Sequence, residues 1–217
     1  TFQNDDASLD ATAFAKQYWY AGKIITQDVE NNNVITEPEL HKTGYGVALS
    51  YSLSENVQFK SSYEKAFRIP ESFEILGDGI YVNPNPLLQP ETSHNLNLGI
   101  RLHRQTARFD LKSEIHFFSR FSRDFIRFNP LGPFGEYENL NNVKTEGIES
   151  SLDVTYRDLI SLTANLTWQN LTDRTEFDEG LPNTNYKNRV PNVPYLFGNA
   201  RLGLSPSKKS ATNKLHL

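Results

Sequence analysis

Polar and apolar residues alternate along this chain in blocks long enough to be strands. The cleanest block puts Leu96, Leu98, Ile100 and Leu102 on one side and Asn95, Asn97, Gly99 and Arg101 on the other, the two-residue period of a strand with one greasy and one wet face. Upstream, Tyr45, Val47, Leu49 and Tyr51 alternate with Gly44, Gly46, Ala48 and Ser50, and a tight turn at Ser54-Glu55-Asn56 leads into Val57, Phe59, Tyr63 and Phe67. Opposite them stand Gln58, Lys60, Ser62, Glu64 and Arg68. A short turn near Arg104-Gln105 predicts a return strand with Phe109, Leu111, Ile115 and Phe117 facing away from Arg108, Asp110, Lys112, Glu114 and His116. Residues 146–170 read as a hairpin closed at Arg157-Asp158, with Ile148, Leu152, Val154 and Tyr156 answered by Ile160, Leu162, Ala164, Leu166 and Trp168. Strands are also predicted in Ala13–Thr26, around Tyr18, Trp19 and Tyr20, and in Tyr195–Leu204, with a turn or frayed end over Ser205–Asn213.

The connections have their own rhythm. Short turns take turns with long loops at 27–42, 69–92, 129–139 and 171–192, rich in Asn, Gly, Pro and charge. About eight strands result, several of ~10 residues or more, longer than the ~5–6 of ordinary globular strands and matching the ~9–11 that cross a bilayer at a tilt. Tyr45, Tyr51, Tyr156 and Trp168 fall at strand ends, where a barrel carries its interfacial girdle. The predicted fold is all-β: an antiparallel transmembrane β-barrel, with about eight strands of a larger barrel. The same periodicity fits a soluble antiparallel sandwich or solenoid. Long strands and ionisable wet faces favour the barrel.

Composition changes the picture in three places. A hydrophobic fraction of 37% and a mean hydropathy of −0.56 read as soluble, but alternating membrane strands average out as polar, so only a transmembrane helix is excluded. Net charge −4 with scattered Lys and Arg argues against nucleic acid as a partner. Cys is absent, which removes disulfides, Cys-based zinc sites and thiol nucleophiles. Met is absent too, even at position 1, so the expectation is an excised or processed piece.

Chemistry-bearing motifs are few. There is no Gly-x-Ser-x-Gly elbow, no His-Glu-x-x-His and no phosphate-binding Gly loop, so no catalytic residue, metal site or cofactor is assigned. The histidines His41, His94, His103, His116 and His216 show no i, i+4 pairing; His41 and His94, near long loops, are the two with any claim as ligands. Asp173, Glu176, Asp178 and Glu179 cluster without EF-hand spacing and read as a solvated loop. The Asn165 and Asn170 sequons are discounted, the first lying inside a strand with its Asn toward the wet face. Loop aromatics remain: Phe73, Tyr81, Phe134, Tyr137, Phe177 and Tyr186 either pack loops together or offer rings to a ligand. Tyr81, Phe134, Tyr137 and Tyr186 are the candidate ligand-binding residues.

Three ordered blocks carry a resemblance. The first holds Ala66-Phe67-Arg68, Pro70, Asn85-Pro86, Leu88, Pro90-Glu91, Ser93 and Leu98-Gly99; the second is Asn-Val-Lys-Thr-Glu-Gly-Ile-Glu at 142–149; the third is Arg-Val-Pro-Asn-Val-Pro at 189–194. In this order they resemble the C-terminal barrel region of TonB-dependent outer-membrane receptors, over about residues 43 to 204. Each block also has a structural role: Pro86 and Pro90 stiffen a turn, Gly99 and Gly147 relieve crowding inside the barrel, and Arg101 and Glu149 face water. The resemblance implies a 22-stranded barrel around an N-terminal plug in the outer membrane of a Gram-negative bacterium. It further implies TonB-energised uptake of a scarce nutrient such as a siderophore-iron chelate, haem, cobalamin or oligosaccharide. Partners would be the TonB complex, a small nutrient ligand and outer-membrane lipid. These residues show no plug, no TonB box and no closing aromatic strand, ending Lys214-Leu-His-Leu217; residues 1–217 are therefore expected to be a partial barrel that does not transport alone, with two open sheet edges. A porin-like barrel and a soluble carbohydrate-binding β module are the competing functions.

Overall fold

The computed structural model describes residues 2–4, 7–27, 33–37, 39–178 and 180–205. In chain order the elements are β1 (Phe2–Asn4), β2 (Ala7–Ala21), β3 (Ile24–Gln27), β4 (Asn33–Thr36), β5 (Glu39–Ser54), β6 (Val57–Arg68), α1 (Ser72–Leu76), β7 (Val82–Asn83), β8 (Glu91–Gln105), β9 (Phe109–Leu131), β10 (Phe134–Tyr156), β11 (Ile160–Asp173), β12 (Phe177–Asp178), β13 (Leu181–Pro182) and β14 (Leu196–Leu204). One antiparallel sheet runs in the order β1-β2-β5-β6-β8-β9-β10-β11-β14, with β7 added in parallel beside β10. β3–β4 and β12–β13 are separate hairpins in the connections. Each long strand therefore pairs with the next long strand in sequence, and eight of them form the expected meander.

Register turns the alternation into a surface. Ala11, Leu49, Ser61, Leu98, Phe117, Ile148, Trp168 and Leu196 fall opposite one another in a single row from β2 to β14. Leu49, Leu98, Ile148 and Trp168 in that row are 46%, 47%, 45% and 47% exposed. No element covers this apolar face among the described residues, so the core of a soluble sandwich is missing. What is buried lies elsewhere: Ile75, Leu88 and Ile126 form one cluster, and Val143, Leu171 and Val190 a second, both beneath the long connections. From Ile148 to Tyr156 the bare side of β10 measures about 26 Å at ~3.3 Å per residue, close to the ~25 Å apolar band of outer-membrane barrels.

The other face is polar and crowded. Glu114 draws in Lys60, Arg101 and His116 at 3.3, 3.3 and 3.1 Å, and Asp110 takes His103 at 3.1 Å. A Cβ on Gly99 would come 2.3 Å from the His116 ring, and one on Gly147 2.4 Å from Phe118. Glycine here makes room for an aromatic ring from the neighbouring strand, as the crowding argument requires.

Several boundaries differ from the sequence reading. Residues 129–139, expected to be a long loop, instead extend the β9–β10 ladder as a tower that closes on Gly132-Pro133. Gly132 has φ 65, which the first central position of a II′-type hairpin turn needs, and the fixed φ of Pro133 suits the second. The breaker residues thus sit in a tight turn. β5 starts at Glu39, earlier than expected, and β2 already at Ala7. The turn placed near Arg104-Gln105 lies at 106–108, and the 69–90 connection holds the helix α1. Residues 206–217, which include the predicted turn or frayed end beyond Ser205 and the terminal Lys214–Leu217, lie outside the described residues.

Candidate functional site

The loop side of the sheet is built around the β9–β10 tower. At its base the ladder skips a step between Phe125↔Leu140 and Arg123↔Asn142, and Asp124 takes φ 55. Asn139 holds this kink, its Nδ2 donating to the Asp124 carbonyl at 2.7 Å and to the Gln89 carbonyl at 3.0 Å. One face of the tower, through Ile126, Phe128 and Tyr137, receives the 69–90 connection. The opposite face, through Arg127, Asn129 and Glu138, looks onto the β11–β14 connection.

A lock at the end of β6 holds the first connection in place. Both Arg68 terminal nitrogens donate to Glu74, at 2.8 and 2.7 Å, and Glu74 Oε2 also accepts the Glu71 amide at 2.8 Å in a capping box. The Arg68 guanidinium beside it holds the Glu74 carboxyl below the usual carboxylate range. Glu91, buried like Glu74, lies 3.9 Å from Arg68 and accepts the Ser122 hydroxyl at 2.8 Å. Asn85 completes the seam by donating from Nδ2 to the Tyr137 carbonyl at 2.9 Å. Arg68, Asn85 and Glu91, all from the first motif block, are thus spent on anchoring. At the loop tip Asp78 accepts the Val82, Ile80 and Tyr81 amides at 2.8, 2.8 and 2.7 Å, and those donors hold its carboxyl below the usual range.

Across the tower a polar cleft of about 500 Å³ is lined by Arg127, Asn129, Glu138, Asn139, Asp173, Asn183 and Arg189, among others. Its acids are already engaged. Arg127 meets Glu138 at 2.6 Å and Asn129 donates to the other Glu138 oxygen at 3.0 Å; Asp173 accepts from the Thr175 amide at 2.8 Å and from Asn183 at 3.0 Å. Arg189 enters no ion pair among the described residues, and its guanidinium rests 4.7 Å from the Tyr195 ring. What the cleft offers a ligand is one unmatched cation among neutral amides, a set that suits oxygen-rich molecules.

The sequence-derived candidates sit around this cleft, not in it. Tyr81 and Phe134 come to the tower tip, where the Gly135 amide donates to the Tyr81 carbonyl at 2.9 Å, and both rings are exposed. Tyr137 packs between Phe73 and Phe128 at centroid distances of 6.1 and 5.3 Å. Tyr186 lies in the other connection and donates its hydroxyl to Glu176 at 2.7 Å; that bond pushes its pKa up. The cleft residues carry only a weak sequence signal, the recurrence of Asn at 129, 139, 141, 183 and 185. His41 pairs with Glu39 at 3.0 Å and His94 with Tyr63 at 2.8 Å. No group of three His, Asp or Glu with metal-holding geometry occurs among the described residues. Asn165 lies in β11 and donates to Asn199 at 3.3 Å on the polar face. Glu179 of the acidic cluster lies outside the described residues.

Known proteins match this architecture along nearly its whole length. The family described as TonB dependent receptor-like, beta-barrel, matches residues 4–208. The vitamin B12 transporter BtuB of Vibrio vulnificus (strain YJ016) is 30% identical over 111 residues, 50% of this chain and 17% of that protein. Among solved structures, the copper transporter OprC aligns with a TM-score of 0.63 at 13% identity, covering 95% of this chain and 32% of its own. The ferric-catecholate import receptor Fiu of K12 E. coli gives 0.59 at 15% identity, covering 94% of this chain and 30% of that one. The Serratia marcescens hemophore receptor HasR, solved with its hemophore HasA and heme, gives 0.55 at 16%, covering 93% and 38%. This chain spans less than two fifths of each of these proteins, and at such identities the structures speak to the fold alone. The matched proteins are receptors and transporters, not enzymes. Periodicity, register, bare apolar face and family match converge: this chain belongs to the β-barrel family of TonB-dependent receptors.

Proposed function

We propose that residues 1–217 are part of an outer-membrane receptor that takes up a scarce nutrient with energy delivered through TonB. One observation carries the reading: an apolar face, continuous in register across eight strands, is left bare, so its solvent is lipid. The plug, the region that contacts TonB and the strands that close the barrel would then lie outside residues 1–217, and localisation would be the bacterial outer membrane. Siderophore-iron, haem, cobalamin and oligosaccharide all fit an oxygen-seeking cleft, and the BtuB likeness makes a corrinoid the first ligand to try. We place first ligand contact in the cleft of Arg127, Asn129 and Arg189, with Tyr81 and Phe134 at the tower tip and Tyr186 beside it as ring contacts.

Two assays test this in sequence. Circular dichroism and size exclusion should find defined β structure only in detergent or lipid; a folded, monomeric species in plain buffer would mean the apolar faces meet each other, and the membrane reading would be withdrawn. Binding of cyanocobalamin, ferric catecholates and haem to the protein with its natural flanking sequence should then weaken at least tenfold on Arg189→Ala for one of them. Loss of binding to none would move first contact out of the cleft.

A further inference from the structure

Above the apolar band, the same outward face changes character. Lys65, His94, Phe121 and Lys144 fall in one register row across β6, β8, β9 and β10. They share their face with Tyr63, Leu96, Phe117 and Ile148 and stand two to four residues beyond them, with Phe67 two positions past Lys65 in β6. Arg123 follows Phe121 on that face, opposite Thr92 and Asn142. From Lys65 to Lys144 the row crosses three inter-strand steps, about 14 Å at ~4.8 Å each.

The charges of this row are poorly matched from within. Lys65 and Arg123 enter no ion pair among the described residues, and Lys65 has only the Phe67 ring at 5.5 Å. Lys144 pairs with Glu146 on the same face at 2.8 Å, while His94 bonds to Tyr63 at 2.8 Å. Three cations against one carboxylate leave a net positive row between rings, at the height where an apolar band gives way to headgroups. We propose that it binds the phosphorylated headgroup of an anionic membrane lipid, whose acyl chains would lie along Leu96, Phe117 and Ile148. This rests on the membrane-barrel reading. Complementary charge favours this occupant over a second barrel, which would bring an identical positive row.

Native mass spectrometry in detergent, on the protein with its natural flanking sequence, reads the affinity for phosphatidylglycerol and for bisphosphorylated lipid A against phosphatidylcholine. Near a membrane each Lys or Arg strengthens anionic-lipid binding about fivefold, so the anionic lipids should bind at least tenfold tighter. Lys65→Gln/Arg123→Gln/Lys144→Gln should erase that preference. Lys65→Arg/Lys144→Arg should keep it, which separates lost charge from lost folding. Removing as many cations at the opposite rim, with Arg104→Gln/Arg108→Gln/Arg157→Gln, should also leave it intact. Equal affinity for anionic and zwitterionic lipid in folded protein, an unchanged preference in the first variant, or displacement of the lipid by millimolar inorganic phosphate would each overturn the proposal. A protein folded only in plain buffer would instead overturn the membrane reading beneath it.

Discussion

Arg68→Ala should free the 69–90 connection while leaving the sheet folded. The guanidinium is the bidentate partner of Glu74 and lies within 4 Å of Glu91, and both carboxylates are only 7% exposed. Stripping one partner from a fully buried ion pair costs ~3–5 kcal/mol, because the remaining charge is left without compensation. Arg68 itself is 42% exposed, so water already shares in its solvation and a loss of about 2 kcal/mol is the better figure. The remaining sheet contacts of β6 and β8 do not depend on this side chain, so the cost falls on the connection. Hydrogen exchange of the amides between 71 and 90 should then speed up about 30-fold, with β8 and β9 amides unchanged. Arg68→Lys, which keeps the charge and loses the fork, should fall between. Unaltered exchange in Arg68→Ala would refute the lock. Its pH dependence has a definite sign. The folded Glu74 carboxyl is depressed, so the stabilisation is complete above the ordinary carboxylate pKa and is lost as pH falls through the lowered folded value. Loop protection, corrected for intrinsic exchange, should hold at pH 7 and decline below about pH 4.

Three further substitutions probe the surfaces and turns. Leu98→Arg, in the middle of the bare face, should destabilise the protein in vesicles by about 2–4 kcal/mol, whereas Gln58→Arg on the polar face should stay within ~0.5 kcal/mol; equal costs in denaturant titrations would contradict the assignment of faces. Gly132→Ala meets no atom within 4 Å yet must keep φ 65, so it should cost about 1 kcal/mol of backbone strain alone, read as faster exchange confined to the tower tip. Arg157 and Asp158 both hold positive φ, at 50 and 55, so Arg157→Asn/Asp158→Gly should stabilise by about 0.5–1 kcal/mol; an unchanged or lower denaturation midpoint would count against it.

The sheet was legible in the sequence because one physical rule governs it. A strand exposed to lipid on one side and water on the other must alternate strictly, so Leu96 to Leu102 and Ile160 to Trp168 announce their faces residue by residue. The tower was not legible. Pro130, Gly132, Pro133 and Gly135 are loop formers by composition, and only the long-range pairing of Phe128 with Tyr137 reveals that they close a hairpin. Nor does periodicity mark the cleft, whose Arg127, Glu138, Asn183 and Arg189 come from segments up to 62 positions apart and meet only once two connections fold against one tower.

Anchoring also explains why the motif residues, Arg189 apart, are silent about the ligand. A receptor that lets its loops meet a nutrient needs those loops positioned by something that does not depend on the nutrient. Arg68, Asn85, Leu88 and Glu91 do this on one side of the tower, and Val190, buried against Val143 and Leu171, does it on the other. These contacts fix main chain near the sheet and leave the exposed tips at Tyr81 and Phe134 free to vary in chemistry without loss of fold, while Arg189 is held by its bridge to Thr172 and presents its side chain to the cleft. Family likeness therefore resides in the anchors and specificity in what they hold up. Exchanging Arg189 or the tower tip should change what is bound while the lock keeps its protection, and exchanging Arg68 should release the 69–90 connection with the cleft chemistry intact.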